Sequence, residues 1–214
     1  ATKCASPAAM SMPTTAQGKL LRNSSASSTV AMAQSGLRTI VVDSDMRRPR
    51  IHKAFGGRNG KGLSSILTDD MPLAEAALET DVENLEVLTC GPIPPNPSEL
   101  LHTTRFQRLL EELDERYDRV IFDSPPLGAV SDGLVLSHSV DAVLLILKFG
   151  QTRRETLRRA IEQLVTVGAP FMGCVLNDID ASTGGYGYSY YYYRYNYDDR
   201  ADSSDDMKSP DLDA

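Results

Sequence analysis

The stretch that decides the fold is TIVVDSDMRRP, residues 39–49, in which a short apolar run ends abruptly in acidic residues. An apolar run of this length is typical of a strand that is buried on both faces of a parallel sheet. A second stretch, VIFDSPP at residues 120–126, has the same arrangement. Because ligands bind just beyond the carboxyl ends of the strands in open parallel sheets, we expect Asp43, Asp45 and Asp123 to face a ligand crevice.

Outside these two stretches, short apolar runs alternate with segments that have helical spacing. This alternation predicts an α/β fold with a mostly parallel sheet. The predicted strands are residues 37–43, 85–88, 119–123, 141–147 and 171–177, and the predicted helices are residues 30–36, 98–117 and 152–167.

The acidic residues at the two strand ends have a chemistry that suits phosphate ligands. Carboxylates on neighbouring strands favour a hard cation such as Mg²⁺, which takes few protein oxygens and keeps water and phosphate ligands. One of these carboxylates is also suited to accept a proton from an attacking hydroxyl group. The alternative is that each aspartate only caps the turn that follows it. Because two strands end in the same way, the pattern favours the ligand site.

Eight of the nine tyrosines lie within twelve residues near the C-terminus, in YGYSYYYYRYNY. A tyrosine is a large ring with a polar tip, which needs a hydrogen-bond partner when it is buried. So dense a run, flanked by glycines and aspartates, is predicted to be an exposed, mobile tail that presents phenol hydroxyls. Everything after Ser182 is predicted to be disordered.

Composition bounds the class of protein. A length of 214 residues predicts one domain with tails. The net charge of −7 argues against nucleic-acid binding, and three dispersed cysteines argue for a reducing compartment and against a zinc site. The longest strongly apolar run, residues 142–147, falls far short of the ~20 residues that span a bilayer, and the start has no signal-peptide pattern. A soluble chain is therefore expected.

TIVVDSDMRRP resembles the second Walker motif of the bacterial tyrosine kinases, the cytoplasmic autokinases of capsule and exopolysaccharide synthesis. VIFDSPP resembles the Walker B motif of the same family, and GPIPPNPSELL at residues 91–101 resembles a further stretch of it. The tyrosine cluster completes the resemblance, which covers about residues 30–197. In combination these motifs are specific, whereas DxD or DSPP alone would indicate only the wider class of deviant-Walker ATPases that includes the Min and Par partitioning proteins.

The resemblance implies a P-loop NTPase-like fold, a mostly parallel sheet with helices on both faces, that uses ATP and Mg²⁺ as cofactors. Asp43 and Asp45 would lie beside the γ-phosphate and the metal, one of them serving as the base or the orienting group for the tyrosine hydroxyl. Asp123 would hold Mg²⁺ directly or through water, so that Asp43 and Asp123 are the implied metal ligands. Phosphoryl transfer depends mostly on positioning and charge stabilisation, for which this small set of groups can suffice.

Three further residues receive a role from the resemblance. Arg47 and Arg48 would contact phosphate or a neighbouring subunit, and the alternative is that they are solvated surface residues. Asn177 matches the position that contacts the nucleotide base in these ATPases, and the alternative is that it only forms a turn.

The resemblance also implies that the tyrosine cluster is the substrate of the kinase itself. Transfer would occur in trans within a homo-oligomer such as a ring, which phosphorylation would loosen, and other tyrosine proteins would be substrates as well. A membrane-anchored polysaccharide co-polymerase, fused or separate, would activate the kinase and hold it at the inner face of the cytoplasmic membrane. The implied autophosphorylation sites are Tyr186, Tyr188, Tyr190, Tyr191, Tyr192, Tyr193, Tyr195 and Tyr197.

The phosphate-binding loop departs from the family pattern GxxxxGK[ST]. Upstream of the first predicted helix stands PTTAQGKLL, with Gly18 and Lys19 but without the first glycine, and with Leu20 in place of Ser or Thr. No strand is predicted ahead of it, because residues 1–29 contain no Val, Ile or Phe. Three interpretations stay open: a degenerate loop that no longer binds nucleotide, an unusual loop in which Lys19 still works, or a shifted reading frame at the start of the chain.

The sequence therefore predicts an atypical segment at residues 1–29, a kinase domain at residues 30–182 and a tyrosine-rich, acidic tail at residues 183–214. The leading hypothesis is an ATP-dependent protein-tyrosine autokinase of polysaccharide export. One alternative is a catalytically impaired regulatory or scaffolding relative with the same fold. The other is a partitioning-type ATPase, which has no reason to carry a tyrosine cluster.

Overall fold

The computed structural model of the protein describes residues 24–128 and 130–179. The predictions made for Gly18, Lys19 and the tyrosine cluster therefore lie outside the described residues. Within these residues, no helix combines the length and the hydrophobicity that crossing a bilayer requires.

The strands of the described residues form two sheets. The strands are β1 (Thr39–Asp43), β2 (Ala77–Glu79), β3 (Leu85–Leu88), β4 (Arg119–Asp123), β5 (Val143–Lys148) and β6 (Phe171–Asn177). The larger sheet has the order β2-β3-β1-β4, in which β1 pairs in parallel with both β3 and β4, and β2 adds an antiparallel edge. The smaller sheet is the parallel pair β5-β6.

Helices connect the strands. The helices are α1 (Ser24–Gln34), α2 (Ile51–Ala54), α3 (Leu63–Asp69), α4 (Leu73–Ala76), α5 (Pro97–Leu100), α6 (Thr104–Arg116), α7 (Asp132–Leu136) and α8 (Arg154–Thr166), with a 3₁₀ turn at Ser137–Ser139. Two of them, α6 and α8, have 13 residues each, and α2, α4 and α5 are single turns.

The central strand β1 is buried at every residue, as its uninterrupted apolar run predicted. On one face, Ile40 and Val42 pack into the main hydrophobic cluster with side chains of α3 and α6. On the other face, Val41 packs against Ile51 at the start of α2. The prediction of a mostly parallel sheet with helices on both faces is therefore confirmed, and this layering fixes the end of β1 at a defined point in the fold.

The predicted helix over residues 98–117 is wrong in one respect, because the structure divides it into α5 and α6. Thr103 has an extended backbone, and its side chain accepts a hydrogen bond from the amide of Phe106, which makes it the N-cap of a new helix. Leucines on both sides of the break are buried, so their spacing resembled that of one continuous helix.

Among the described residues, β4 and β5 follow each other along the chain but do not pair, and β4 is an edge strand. The short antiparallel strand β2 was not predicted. It is only three residues long and half-exposed to exposed, which leaves little apolar pattern to detect.

Candidate active site

The two acidic strand ends lie side by side. In the parallel register of β1 and β4, Val42 is opposite Phe122 and Asp43 is opposite Asp123. Residues paired in this way point to the same face, on strands about 4.8 Å apart. Ser44 fastens the two ends together, because both its amide (2.9 Å) and its hydroxyl (2.6 Å) donate to the carbonyl oxygen of Asp123. The predicted convergence of Asp43 and Asp123 at one edge of the sheet is thus present in the structure.

Asp43 is fully buried but only half satisfied. Its Oδ2 accepts hydrogen bonds from the amides of Arg50 (3.0 Å) and Ile51 (2.9 Å). Its Oδ1 is buried and has no hydrogen-bond partner among the described residues. Burial raises the pKa of this carboxyl to about 6, the amide of Ile51 opposes the rise, and the nearby charge of Asp123 adds to it. An unsatisfied buried carboxylate oxygen next to a second carboxylate is suited to a cation.

Asp45 lies in the loop that follows β1 and is half-buried. Its Oδ1 accepts hydrogen bonds from the amides of Arg47 (3.2 Å) and Arg48 (2.9 Å). The amides of Arg50 and Ile51, further along the chain, bind the Asp43 carboxylate. The loop after β1 is therefore wound around both carboxylates, which fixes their directions.

Cys90 shares this edge of the sheet and was not predicted from the sequence. It lies two residues beyond β3 and is fully buried. Burial raises the pKa of its thiol to about 12, and the negative charges of Asp43 and Asp45 add to the rise. At neutral pH the group is a thiol, so it contributes an apolar wall rather than a nucleophile. In the sequence, its position just after the predicted strand at residues 85–88 was the feature that could have identified it as a neighbour of the site.

The two arginines of the loop have different surroundings. Arg47 forms an ion pair with Asp132, with its Nε 2.8 Å from Oδ2 and its Nη2 3.3 Å from Oδ1. Nη2 also donates to the hydroxyl of Ser98 at 3.3 Å. The side chain of Arg48 is exposed. Neither Asp132 nor Ser98 was predicted as a site residue, because their link to Arg47 spans 85 and 51 positions of the sequence.

Asn177 ends β6 in the second sheet. It is opposite Lys148 of β5, and its carbonyl oxygen accepts a hydrogen bond from the amide of Phe149 at 2.9 Å. The residue is half-buried. The structure thus places Asn177 at the carboxyl end of the β5-β6 pair, and it places Asp43 and Asp123 in register at the carboxyl ends of β1 and β4.

The carboxylates fit a magnesium ion that takes most of its ligands from water and phosphate rather than from the protein. In the part of the chain that the structure describes, no three or more His, Cys, Asp or Glu residues form a ready-made metal centre. Mg²⁺ is usually held by one or two carboxylates together with water and substrate phosphates. The residues that would hold it are Asp43, whose Oδ1 has no partner within residues 24–128 and 130–179, and Asp123 beside it.

Sequence relatives identify the class of protein, although no family model matches the chain. The chain is 38% identical over 148 residues to the tyrosine-protein kinase YwqD of Bacillus subtilis, covering 69% of this chain and 62% of that protein. It is 32% identical over 157 residues to the tyrosine-protein kinase CpsD of Streptococcus pneumoniae, covering 73% and 69%. It is 36% identical over 155 residues to the tyrosine-protein kinase ptk of Acinetobacter johnsonii, covering 72% and 21%. The chain therefore spans about three fifths of the Bacillus relative and a far smaller share of the Acinetobacter one.

Solved structures agree with these relatives. The crystal structure of the chimerical protein CapA2B2 has a TM-score of 0.70 and 37% identity, covering 72% of this chain and 69% of that one. The septum site-determining protein MinD of Pyrococcus horikoshii, complexed with Mg-ADP, has a TM-score of 0.59 and 20% identity over 74% and 65% of the two chains, a likeness of fold alone. Given the motifs, the geometry and a relative more than 30% identical over 69% of its length, the chain belongs to the family of bacterial tyrosine-protein kinases.

Proposed function

We propose that this chain is an ATP-dependent protein-tyrosine autokinase that regulates capsular or exopolysaccharide synthesis and export. The proposal rests on one observation: Asp43, buried and with one oxygen that has no partner among the described residues, is in register with Asp123 at the carboxyl end of two parallel strands. Such a pair of carboxylates is suited to Mg²⁺ and phosphate. The relatives that carry tyrosine-protein kinase names support the reaction class.

In this reaction the γ-phosphorus of ATP forms a bond to the oxygen of a tyrosine hydroxyl, and its bond to the β–γ bridging oxygen breaks. The proton of the hydroxyl passes to a carboxylate, and ADP leaves. We assign the role of base to Asp45, because it is half-buried and a tyrosine hydroxyl can reach it, whereas Asp43 is fully buried. Mg²⁺, when bound, offsets the charge of the phosphates. Asp43 and Asp123 would hold it, and Lys19 of the atypical loop is the proposed phosphate contact.

The proposed substrate is the chain's own tyrosine cluster, presented in trans by another copy. Tethering raises the local concentration of tyrosine, so that no high intrinsic affinity is required. Each phosphate adds about −1.5 to −2 charges, next to aspartates such as Asp198 and Asp199. Repulsion between modified tails would then loosen a homo-oligomer. We further propose a membrane-anchored activator that holds the kinase at the inner face of the cytoplasmic membrane, and other tyrosine proteins as additional substrates.

Mass spectrometry of the tail after incubation with Mg-ATP tests this function. The autokinase reaction predicts phosphate on tyrosines between Tyr186 and Tyr197 in the wild-type chain and its loss in Asp43→Asn. A wild-type chain without phosphate there, incubated together with the activator's cytoplasmic segment, would contradict it. Lys19→Met serves as the probe of the atypical loop, because unchanged phosphorylation in this variant would show that Lys19 does not hold the phosphates.

The atypical loop supports one second candidate, a regulatory or scaffolding relative that no longer turns over nucleotide. Its sequence lacks the first glycine and the Ser or Thr that would contact Mg²⁺. Calorimetric titration of the chain with Mg-ATP separates the two functions. Heat of binding favours the kinase, and no binding favours the scaffold.

A further inference from the structure

Three segments that are distant in the sequence meet at one buried carboxylate. Asp132, the first residue of α7, is 1% exposed. Arg47, from the loop after β1, binds both of its oxygens, and the hydroxyl of Ser98 in α5 donates to its Oδ1. Burial by itself raises the pKa of Asp132, but the hydrogen bonds from Arg47 and Ser98 outweigh it and hold the pKa below its usual value. Asp132 is therefore a fully satisfied anion that fixes the Arg47 side chain.

The residue fixed by Asp132 is also one of the two that direct Asp45. The amide of Arg47 donates to Oδ1 of Asp45 at 3.2 Å, and the amide of Arg48 donates to the same oxygen at 2.9 Å. Between Asp45 and Arg47 lies Met46, which is fully buried and anchors the loop from the inside. An unbroken path of short contacts therefore runs from Asp132, through the side chain and backbone of Arg47, to the carboxylate of Asp45.

We propose that Asp132 is a positioning residue for Asp45, acting through Arg47, and that Ser98 aligns the Asp132 carboxylate for this task. The two oxygens of a carboxylate match the planar fork of a guanidinium, whereas an amide offers only one acceptor. With Nε and Nη2 engaged by Asp132, Arg47 shapes the loop rather than clamping phosphate. The consequence for turnover rests on the proposed function, but the consequence for the loop does not.

Hydrogen exchange of the full chain, without nucleotide, measures the loop directly. In Asp132→Asn, the amides of Arg47 and Arg48 should exchange roughly tenfold faster than in the wild type, because the turn that holds them opens more often. The matched control is Asp118→Asn, which removes an ion pair with Arg38 of similar geometry at the opposite end of β1. This control should leave the exchange of the loop unchanged. Unaltered exchange at these amides in Asp132→Asn would overturn the positioning role.

Kinetics then test whether the positioning matters for transfer. Because a misplacement of about 1 Å can cost 10²-fold in rate, Asp132→Asn should lower kcat at least tenfold while KM for ATP changes little. Asp132→Glu should restore part of kcat, and Arg47→Gln combined with Asp132→Asn should be no slower than either single variant. A raised KM with unchanged kcat would instead assign the pair to nucleotide binding and overturn the proposal.

Hydrogen exchange and phosphorylation assays test the positioning role of Asp132 and the autokinase function separately. If the wild type shows no tail phosphorylation, the autokinase function fails, and hydrogen exchange still decides the role of Asp132. If Asp132→Asn does not fold, the double variant Arg47→Gln/Asp132→Asn replaces it, because it leaves neither charge of the pair without its partner. Faster exchange at the amide of Arg48 in that variant supports the proposal, and unchanged exchange overturns it.

Discussion

Asp43 and Asp132 are both buried aspartates beside the same loop, yet their surroundings are opposite. Asp132 has a guanidinium and a hydroxyl on its carboxylate, and these outweigh burial and lower its pKa. Asp43 forms no ion pair among the described residues, keeps one oxygen unsatisfied, and has its pKa raised to about 6 by burial. Two side chains of the same type, equally inaccessible, are thus stabilised as an anion in one place and destabilised as an anion in the other.

This difference in hydrogen bonding and pKa is the one expected between a carboxylate with a structural role and a carboxylate suited to binding a ligand. A buried charge that the protein satisfies internally needs nothing further, whereas one left unsatisfied costs stability until a cation arrives. Strongly shifted carboxylates cluster at functional sites for this reason. We therefore propose that Asp132 holds the loop and that Asp43 would hold Mg²⁺, and each proposed role predicts a different response to the same substitution, Asp→Asn.

The largest expected effect is on activity at Asp43. Replacing it by asparagine removes the charge that would hold the metal, and we expect autophosphorylation to fall by about 10²-fold or more. Initial rates of phosphate incorporation into the tail measure the change. Asp81→Asn, at an exposed loop aspartate, is the control and should retain the wild-type rate. Retained activity in Asp43→Asn would remove Asp43 from the site.

The second effect is on stability at Asp132. Asp132→Asn leaves Arg47 with a poorer partner, and because that side chain is partly solvated we expect a loss of about 2 kcal/mol rather than the ~3–5 kcal/mol of a fully buried pair. Urea unfolding followed by circular dichroism gives the value. Asp118→Asn, which removes the exposed pair Arg38–Asp118, should lose clearly less, because solvent screens both of its charges. Equal losses at the two sites would erase the contrast between buried and exposed pairs.

The sequence predicted the site of Asp43 but not that of Asp132, because only Asp43 follows a local sequence pattern. Asp43 and Asp123 follow uninterrupted apolar runs, and parallel strands bring their carboxyl ends to one edge, so their convergence followed from local pattern and topology. The strands at residues 85–88, 119–123 and 171–177 were predicted with the bounds that the structure has. Their short apolar runs are bounded by polar or turn-forming residues, which mark both ends.

Asp132 had no comparable signal. It stands alone in Ser131-Asp132-Gly133 at the start of a five-residue helix, and its partners lie 85 and 34 positions away. Only packing decides that it is buried and that Arg47 reaches it. The break between α5 and α6 escaped prediction for a related reason, because a single cap at Thr103 outweighs the continuous spacing of the leucines. Long-range pairing and single capping bonds are the parts of a fold that local pattern does not contain.

A smaller and opposite effect on stability is expected at Asp43. Because folding raises the pKa of this carboxyl from its ordinary value of 3.8 to about 6, the folded state binds the proton more tightly, and ionisation destabilises it as pH rises from about 4 to 6. Asp43→Asn should therefore be more stable than the wild type by about 1 kcal/mol above pH 6. The gain should vanish near pH 4. Urea unfolding at several pH values measures both points.

Asp132 should show the reverse dependence on pH, which sharpens the comparison. Its pKa is lowered in the folded protein, so its stabilising contribution is present above the unfolded value and is lost as pH falls through the folded one. The difference in unfolding free energy between wild type and Asp132→Asn should thus persist at pH 6 and shrink only below about pH 4. Parallel pH profiles for the two asparagine variants would contradict the opposite roles of the two carboxylates.

The smallest expected effect is that of Mg²⁺ without nucleotide. If the unsatisfied Oδ1 of Asp43 binds the ion, Mg²⁺ at ten times its Kd should stabilise the wild type by about 1.4 kcal/mol, because it binds only the folded state. Removal of the ion by a chelator should reverse the gain. Asp132→Asn keeps Asp43 and Asp123 and should still respond, whereas Asp43→Asn should not. Thermal melts of the three proteins with and without Mg²⁺ measure this, and an equal response of Asp43→Asn and wild type would place the ion elsewhere on the protein.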